Sequence, residues 1–461
     1  MKKLFFVLLC GLLSSCFFCV SFCFSQENTI VEVLDSAAIK DGIVISDGPR
    51  VVWKTAINKE LSDGLVFPVI SKENSVLLVL KAKEKDVCQY LTVLDSQTGN
   101  VKLEQGFAEK VYVPVIFEGK VFCGAQNNKV YIYSEETGEL LEERNEEWCD
   151  FCIKNVPSKK TEKVNYLFFN GWLSAFDNTK NEYLWKIDSG NGFNTAPIYD
   201  EENVYLATFK GDFYGFDISS GEEKWKTHLG EDIFFVKPLQ YEDNLVLLWC
   251  ENKQERKTAD LNITLTVLNA ETGEINFSKE WKVSQAVSWP LIFKDRLFLS
   301  IGNTLFSYDL EEGKELWRFA SKNQIFPAIR EEDNNVIVFD GAQVNYRENE
   351  KSMVYCLDVE TGDIVWSVEK KTGVKHLPFI CHNALMICSP KGNNEGNSNS
   401  ELLFLSTADG SVQGKLVLGE EEVINDSLEK NAVWVTKEED LLFSTEEKHG
   451  KRFIYKVRAP A

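Results

Sequence analysis

The sequence predicts an all-β fold, a single closed β-propeller of four-stranded antiparallel blades. Three observations carry this expectation. A glycine-marked phrase returns along most of the chain, and its flanks alternate apolar with polar residues. No segment after the first two dozen residues keeps a helical period.

The phrase first stands as Leu94-Asp95-Ser96-Gln97-Thr98-Gly99 and later as Phe216-Asp217-Ile218-Ser219-Ser220-Gly221 and Leu357-Asp358-Val359-Glu360-Thr361-Gly362. Its anchors fall at 99, 138, 181, 221, 273, 313, 362 and 410, with Asn at 181 and Gly at the others. Asn tolerates left-handed backbone better than most residues, so it fits the same turn. Four positions before the anchor stands Asp, Asn or Ser, whose side chain starts a turn by accepting from amides ahead of it. Four positions after it stand Trp185, Trp225, Trp317 and Trp366, with Leu103 and Phe277 in two more copies.

Each phrase reads as strand, tight turn, strand. Two more short runs precede it, such as residues 195–199 and 204–208 around the polar turn at 200–203. The unit is four strands in roughly 40–50 residues, the size of a propeller blade. One such sheet leaves apolar faces exposed, and stacking sheets buries them. The tryptophans are expected to fill the gaps between neighbours, with Trp53 of the first strand in the same role.

The ends complement each other. Residues 50–55 read as an outermost strand with nothing before it, and residues 432–457 supply three strands with no fourth. The N-terminal strand is expected to join the C-terminal blade and close the ring, leaving no open sheet edge. Eight full units plus one split unit make nine by literal count.

The propeller is placed at 50–458, a linker at 26–49 and an export leader at 1–25. Lys2 and Lys3 precede an uncharged, apolar stretch from Leu4 to Phe24. Three readings stay open. Leu13-Ser14-Ser15-Cys16 resembles a lipobox, which would make Cys16 the lipidated residue. Cleavage after Ser25 would release a soluble chain, and an uncleaved stretch is long enough to span a bilayer as an anchor. All three export the body, to the periplasm or the outer membrane.

The formal charge is −21, and removing residues 1–25 takes away two Lys and no acid. Such an excess disfavours nucleic acid, whose phosphates need Lys and Arg. With only four His in the chain, little remains for histidine-based catalysis.

The pattern apolar-Asp-x-x-(Thr/Ser)-Gly-x-x-x-Trp resembles the pyrroloquinoline-quinone (PQQ) type propeller repeat over roughly residues 50–458. That family includes quinoprotein alcohol dehydrogenases and a lipoprotein subunit of the outer-membrane β-barrel assembly machinery. The resemblance implies eight blades, and eight is the expected number, with the nine of the literal count as the alternative. A quinoprotein would carry an adjacent Cys-Cys pair stacked on its cofactor and a Glu/Asn/Asp set for Ca²⁺. This sequence has no adjacent cysteines, so it resembles the assembly lipoprotein more. No cofactor, metal or catalytic residue is expected.

Cys149 and Cys152 are the one short-range cysteine pair. They read as inert thiols, a local disulfide or, less in keeping with a strand setting, redox or metal ligands. His376, Cys381, His382 and Cys388 form a loose cluster that reads as turn and strand residues. Polar insertions at 343–352 and 391–400 interrupt hairpins and are natural places for partners. The expected function is that of an exported, non-catalytic scaffold for protein–protein interaction in the cell envelope, with a role in outer-membrane protein assembly. The membrane enters only through a lipid or an N-terminal anchor. The alternatives are a PQQ- and Ca²⁺-dependent dehydrogenase and a surface adhesion or carbohydrate-binding module.

Overall fold

The computed structural model describes residues 49–459, apart from short stretches of which the longest are 146–163, 252–260, 341–351, 371–378, 391–399 and 425–432. Cys16, Cys149, Cys152, His376, His382, the leader and nearly all of the two polar insertions lie outside the described residues.

The described chain is strand throughout, in nine antiparallel sheets. In chain order sheets 1 to 8 occupy residues 61–107, 115–145, 164–188, 198–228, 233–283, 291–320, 325–370 and 379–417. Sheet 9 combines 422–458 with the first strand, Arg50–Ile57. The described residues thus form nine sheets, one more than the eight blades expected. Sheet 3 has three described strands.

Sheet 4 shows how the sequence makes the unit. Ile198–Tyr199, Asn203–Ala207, Asp212–Asp217 and Glu223–His228 pair in chain order, each with the next. The second strand buries nearly all its residues, whereas the fourth buries only Trp225. The third and fourth strands meet at the glycine turn. Asp217 Oδ1 accepts from the amides of Ser219 at 3.0 Å and Ser220 at 2.9 Å. The Gly221 amide donates to the Asp217 carbonyl at 2.8 Å. Gly221 has φ 74°, which an L side chain adopts at a cost.

Immediately after the turn the fourth strand bulges. Phe216 pairs with Glu223 and Gly215 with Trp225, so Lys224 is passed over. The same shift recurs before Leu94, Tyr133, Phe176, Leu268, Tyr308, Leu357 and Leu405. A bulge breaks strict alternation and re-aims the residues beside it. In sheets 3, 4, 6 and 7 the residue just past it is the recurrent tryptophan.

The apolar faces meet between sheets. Leu173 and Ala175 of sheet 3 pack with Val204 and Phe216 of sheet 4. Trp225 of sheet 4 packs with Leu245 and Leu268 of sheet 5. Comparable clusters join 5 with 6, 6 with 7, 7 with 8, 8 with 9, 9 with 1, and 1 with 2. The core is thus a set of wedges between sheets, as a one-dimensional stack requires. The N-terminal strand pairs antiparallel with Arg452–Arg458, with Trp53 opposite Lys456.

Candidate functional site

Three features stand out on this scaffold: the repeated sheet junctions, the joint between the chain ends, and the rim beside the glycine turns.

At the junctions the indole of one sheet meets the turn of the next. A Cβ added at Gly273 would lie 2.5 Å from Trp225, and φ there is 72°, so both space and backbone call for glycine. Gly221 meets Trp185, Gly362 meets Trp317 and Gly410 meets Trp366 in the same way, while Phe277 takes the ring's place against Gly313. Each indole N–H then donates to one backbone carbonyl of that turn. The pairs are Trp185 to Ile218 at 3.2 Å, Trp225 to Ala270 at 2.9 Å, Trp317 to Val359 at 2.9 Å and Trp366 to Thr407 at 3.0 Å. In every case the acceptor is the residue directly after the turn-starting Asp, Asn or Ser. A carbonyl left unpaired at a packed junction costs about 1–3 kcal/mol, so these bonds fix which turn sits on which strand.

The joint between the chain ends keeps part of this pattern. Thr55 Oγ1 donates to the Gly99 carbonyl at 3.2 Å, as Thr227 Oγ1 does to that of Gly273 at 2.6 Å. Trp53 is buried among Val76, Leu78 and Tyr90. Yet its Nε1 has no hydrogen-bond partner among the described residues. Lys456 Nζ approaches the Ser96 carbonyl instead, at 3.5 Å. Lys456 also lies 3.3 Å from Asp440, which is fully buried and accepts two bonds from Arg458 at 2.6 and 2.7 Å. In sheets 1, 4, 6 and 7 an Asp stands at the end of the third strand, as Asp309 does opposite Arg296. Here the order is inverted: Asp440 starts the second strand and Arg458 ends the third. Sequence reading missed this cluster, although the inversion was visible in it.

The rim beside the turns is acidic. Hydrogen bonds from Ser219 hold the Asp217 carboxyl down to about 2, outweighing the raising effect of burial. At the opposite end of the same strand Asp212 is also lowered: burial raises it, but Lys226 and His228 beside it prevail. Next to the turns the fourth strands expose aliphatic side chains, among them Val101, Leu140, Leu141, Ile364, Val365 and Val412.

Cys123, Cys250 and Cys356 are buried, and burial pushes the Cys123 thiol up. Cys381 and Cys388 stand in neighbouring strands, Phe379–Cys381 and Ala384–Pro390. Among the described residues no group of His, Cys, Asp and Glu could hold a metal ion.

Comparison with known proteins adds a family. The model described as outer membrane protein assembly factor BamB, a PQQ-type repeat model, matches residues 169–291 and 261–448. The chain is 30% identical over 138 residues to the outer membrane protein assembly factor BamB of Kangiella koreensis, covering 28% of this chain and 34% of that protein. It is 22% identical over 231 residues to the tetrathionate hydrolase of Acidithiobacillus ferrooxidans, covering 47% of this chain and 44% of that one. The matched segments therefore span between a third and a half of these relatives' lengths. Among solved structures, BamB from Moraxella catarrhalis aligns with TM-score 0.42 and 12% identity over 80% of this chain and 98% of that one. A europium-containing methanol dehydrogenase aligns with TM-score 0.43 and 8% identity over 93% and 95%.

Proposed function

Since this chain belongs to the PQQ-like repeat family whose model is described as outer membrane protein assembly factor BamB, we propose that it is an exported scaffold that holds protein partners together during outer-membrane protein assembly and does no chemistry itself. The observation that carries the reading is the family match across residues 169–448. Two features support it. The recurrent indoles and turn carboxylates are engaged in holding sheets and turns together. The sequence also lacks the adjacent cysteine pair of the quinoprotein pattern.

The architecture that fits is a closed ring of nine blades over residues 50–458. Trp53, Trp185, Trp225, Trp317 and Trp366 dock neighbouring blades, and the N-terminal strand completes the ninth. The pairing of Arg50–Ile57 with Arg452–Arg458 and the wedge between sheets 9 and 1 support closure. Residues 1–15 serve as the cleaved leader, Cys16 takes a lipid, the residues from 17 to 49 tether the ring to the membrane, and Cys149 and Cys152 are inert thiols or a local disulfide.

The test is photo-crosslinking of the full chain in an intact bacterial envelope, with fatty-acid labelling of the same protein. The reading expects a covalent adduct with a component of outer-membrane protein assembly, and label lost in Cys16→Ser. An enzyme is the second reading, favoured by the tetrathionate hydrolase alignment. Turnover of tetrathionate, or a quinone chromophore with stoichiometric Ca²⁺ in the purified chain, would overturn the scaffold.

A further inference from the structure

We infer that the turn-side rim of sheets 7 and 8 docks an extended segment of a partner protein that carries Lys or Arg beside aliphatic residues. This specifies the partner of the scaffold reading and rests on it.

Ile364 and Val365 are each 53% exposed and Val412 is 64% exposed, the highest values among the large hydrophobic residues described. The bulge explains the first two. Leu357 pairs with Ile364 and Cys356 with Trp366, so Val365 is passed over and two successive side chains face water. A regular strand would have turned one of them inward. Sheet 2 repeats the arrangement at Leu140 and Leu141. The glycine turn of sheet 8 packs on the outer strand of sheet 7. Gly410 lies on the ring of Trp366, so Val412 sits two residues from the same contact that Ile364 and Val365 precede. Exposed aliphatic residues thus stand just past the glycine turn in both sheets that meet at this junction.

Charge decides what covers them. Asp363 and Asp409 are exposed beside these residues, as is Glu360, which also pairs with Arg296. Lys415 follows further along the outer strand of sheet 8. The corresponding turns at 134–139, 217–222, 269–274 and 309–314 carry acids, with Lys314 as their one base. The opposite side is mixed: the described loop after Ser75–Ala82 alternates Lys83, Glu84, Lys85 and Asp86. A second copy of this chain would bring its own acidic turns. An anionic lipid surface or a nucleic acid would be repelled in the same way. An uncharged apolar segment would gain nothing from the acids. A basic segment with aliphatic side chains satisfies both features, with attraction over the Debye length of about 8 Å at physiological salt.

The experiment uses residues 26–461, which lack the leader and the lipidated Cys16, and two ten-residue peptides. One alternates Lys with Val or Thr, and the other has Glu in place of Lys. The Lys peptide is expected to bind, the Glu peptide not, and the affinity to fall several-fold as salt rises from about 0.05 to about 0.5 M. The I364S/V365S/V412S variant is expected to bind about tenfold more weakly, as loss of apolar contact implies. D363K/D409K should weaken binding similarly, while K83E/K85E on the opposite side should not. Equal binding of both peptides, unchanged affinity in both rim variants, or retention of phosphatidylglycerol vesicles would overturn the inference. The salt and peptide comparisons use the unaltered chain and decide the matter even where a rim variant misfolds. If envelope crosslinks arise from position 85 and not from position 365, the rim assignment fails while the scaffold reading stands.

Discussion

Lys456 Nζ lies 3.5 Å from the carbonyl oxygen of Ser96, the turn carbonyl that at four other junctions accepts from a tryptophan. The indole of Trp53 is in the matching strand position but stays unbonded among the described residues. The joint between the two chain ends is therefore held by charge where its counterparts are held by an indole. Asp440 anchors that charge from a fully buried position.

Asp440→Ala should consequently cost more than any other single change at this joint. It leaves Lys456 and Arg458 without their buried counter-ion, a loss of about 3–5 kcal/mol. Lys456→Met keeps the two-bond Arg458 pairing and should cost about 1 kcal/mol. Chemical denaturation of the two variants measures the gap, and equal losses would refute the assignment.

Trp225 and Gly273 should behave as one unit. Trp225→Ala removes a packed indole and is expected to cost about 3–5 kcal/mol. Trp225→Phe loses mainly the bond to the Ala270 carbonyl, about 1 kcal/mol. Gly273→Ala brings a Cβ to 2.5 Å from the ring. The double variant W225A/G273A should therefore lose at least about 1 kcal/mol less than the sum of its single variants. Additive losses would mean that the contact carries no energy.

Asp217 supplies a pH dependence. Its folded value of about 2 lies below the ordinary 3.8, so its contribution is complete above that ordinary value. The contribution is lost as pH falls from about 4 to about 2. Solvent screens this carboxylate, so the share is below about 1 kcal/mol. Asp217→Asn should lower stability at neutral pH, and its difference from the parent should shrink across that window. A difference constant down to pH 2 would contradict the turn's charge-assisted bonding.

Removal of residues 50–57 should open the joint. It strips Trp53 from its wedge and exposes the edge of Arg452–Arg458. The truncated chain is expected to lose its sharp thermal transition or to associate through that edge. A synthetic peptide of residues 50–57 should restore the transition in circular dichroism. An unchanged melt after truncation would show that the pairing does not hold the ends together.

The amino-acid order alone determined the unit. Asp217, its two serines and Gly221 lie within a few residues of one another, so turn, strand period and repeat could all be read locally. Pairing of the first strand with the last could also be read, because residues 50–55 and 432–457 are complementary parts of one unit. The junctions could not. Trp185 reaches a carbonyl 33 residues away and Lys456 one 360 residues away, and the partner at that distance is set by how neighbouring sheets pack. The bulge that exposes Val365 also escapes a pattern of period two, because it is a departure from that period. Local chemistry repeats and so announces itself, whereas contacts between sheets exist only once the sheets have met, and that is why the ion cluster at Asp440 and the exposed aliphatic residues came from the fold and not from the letters.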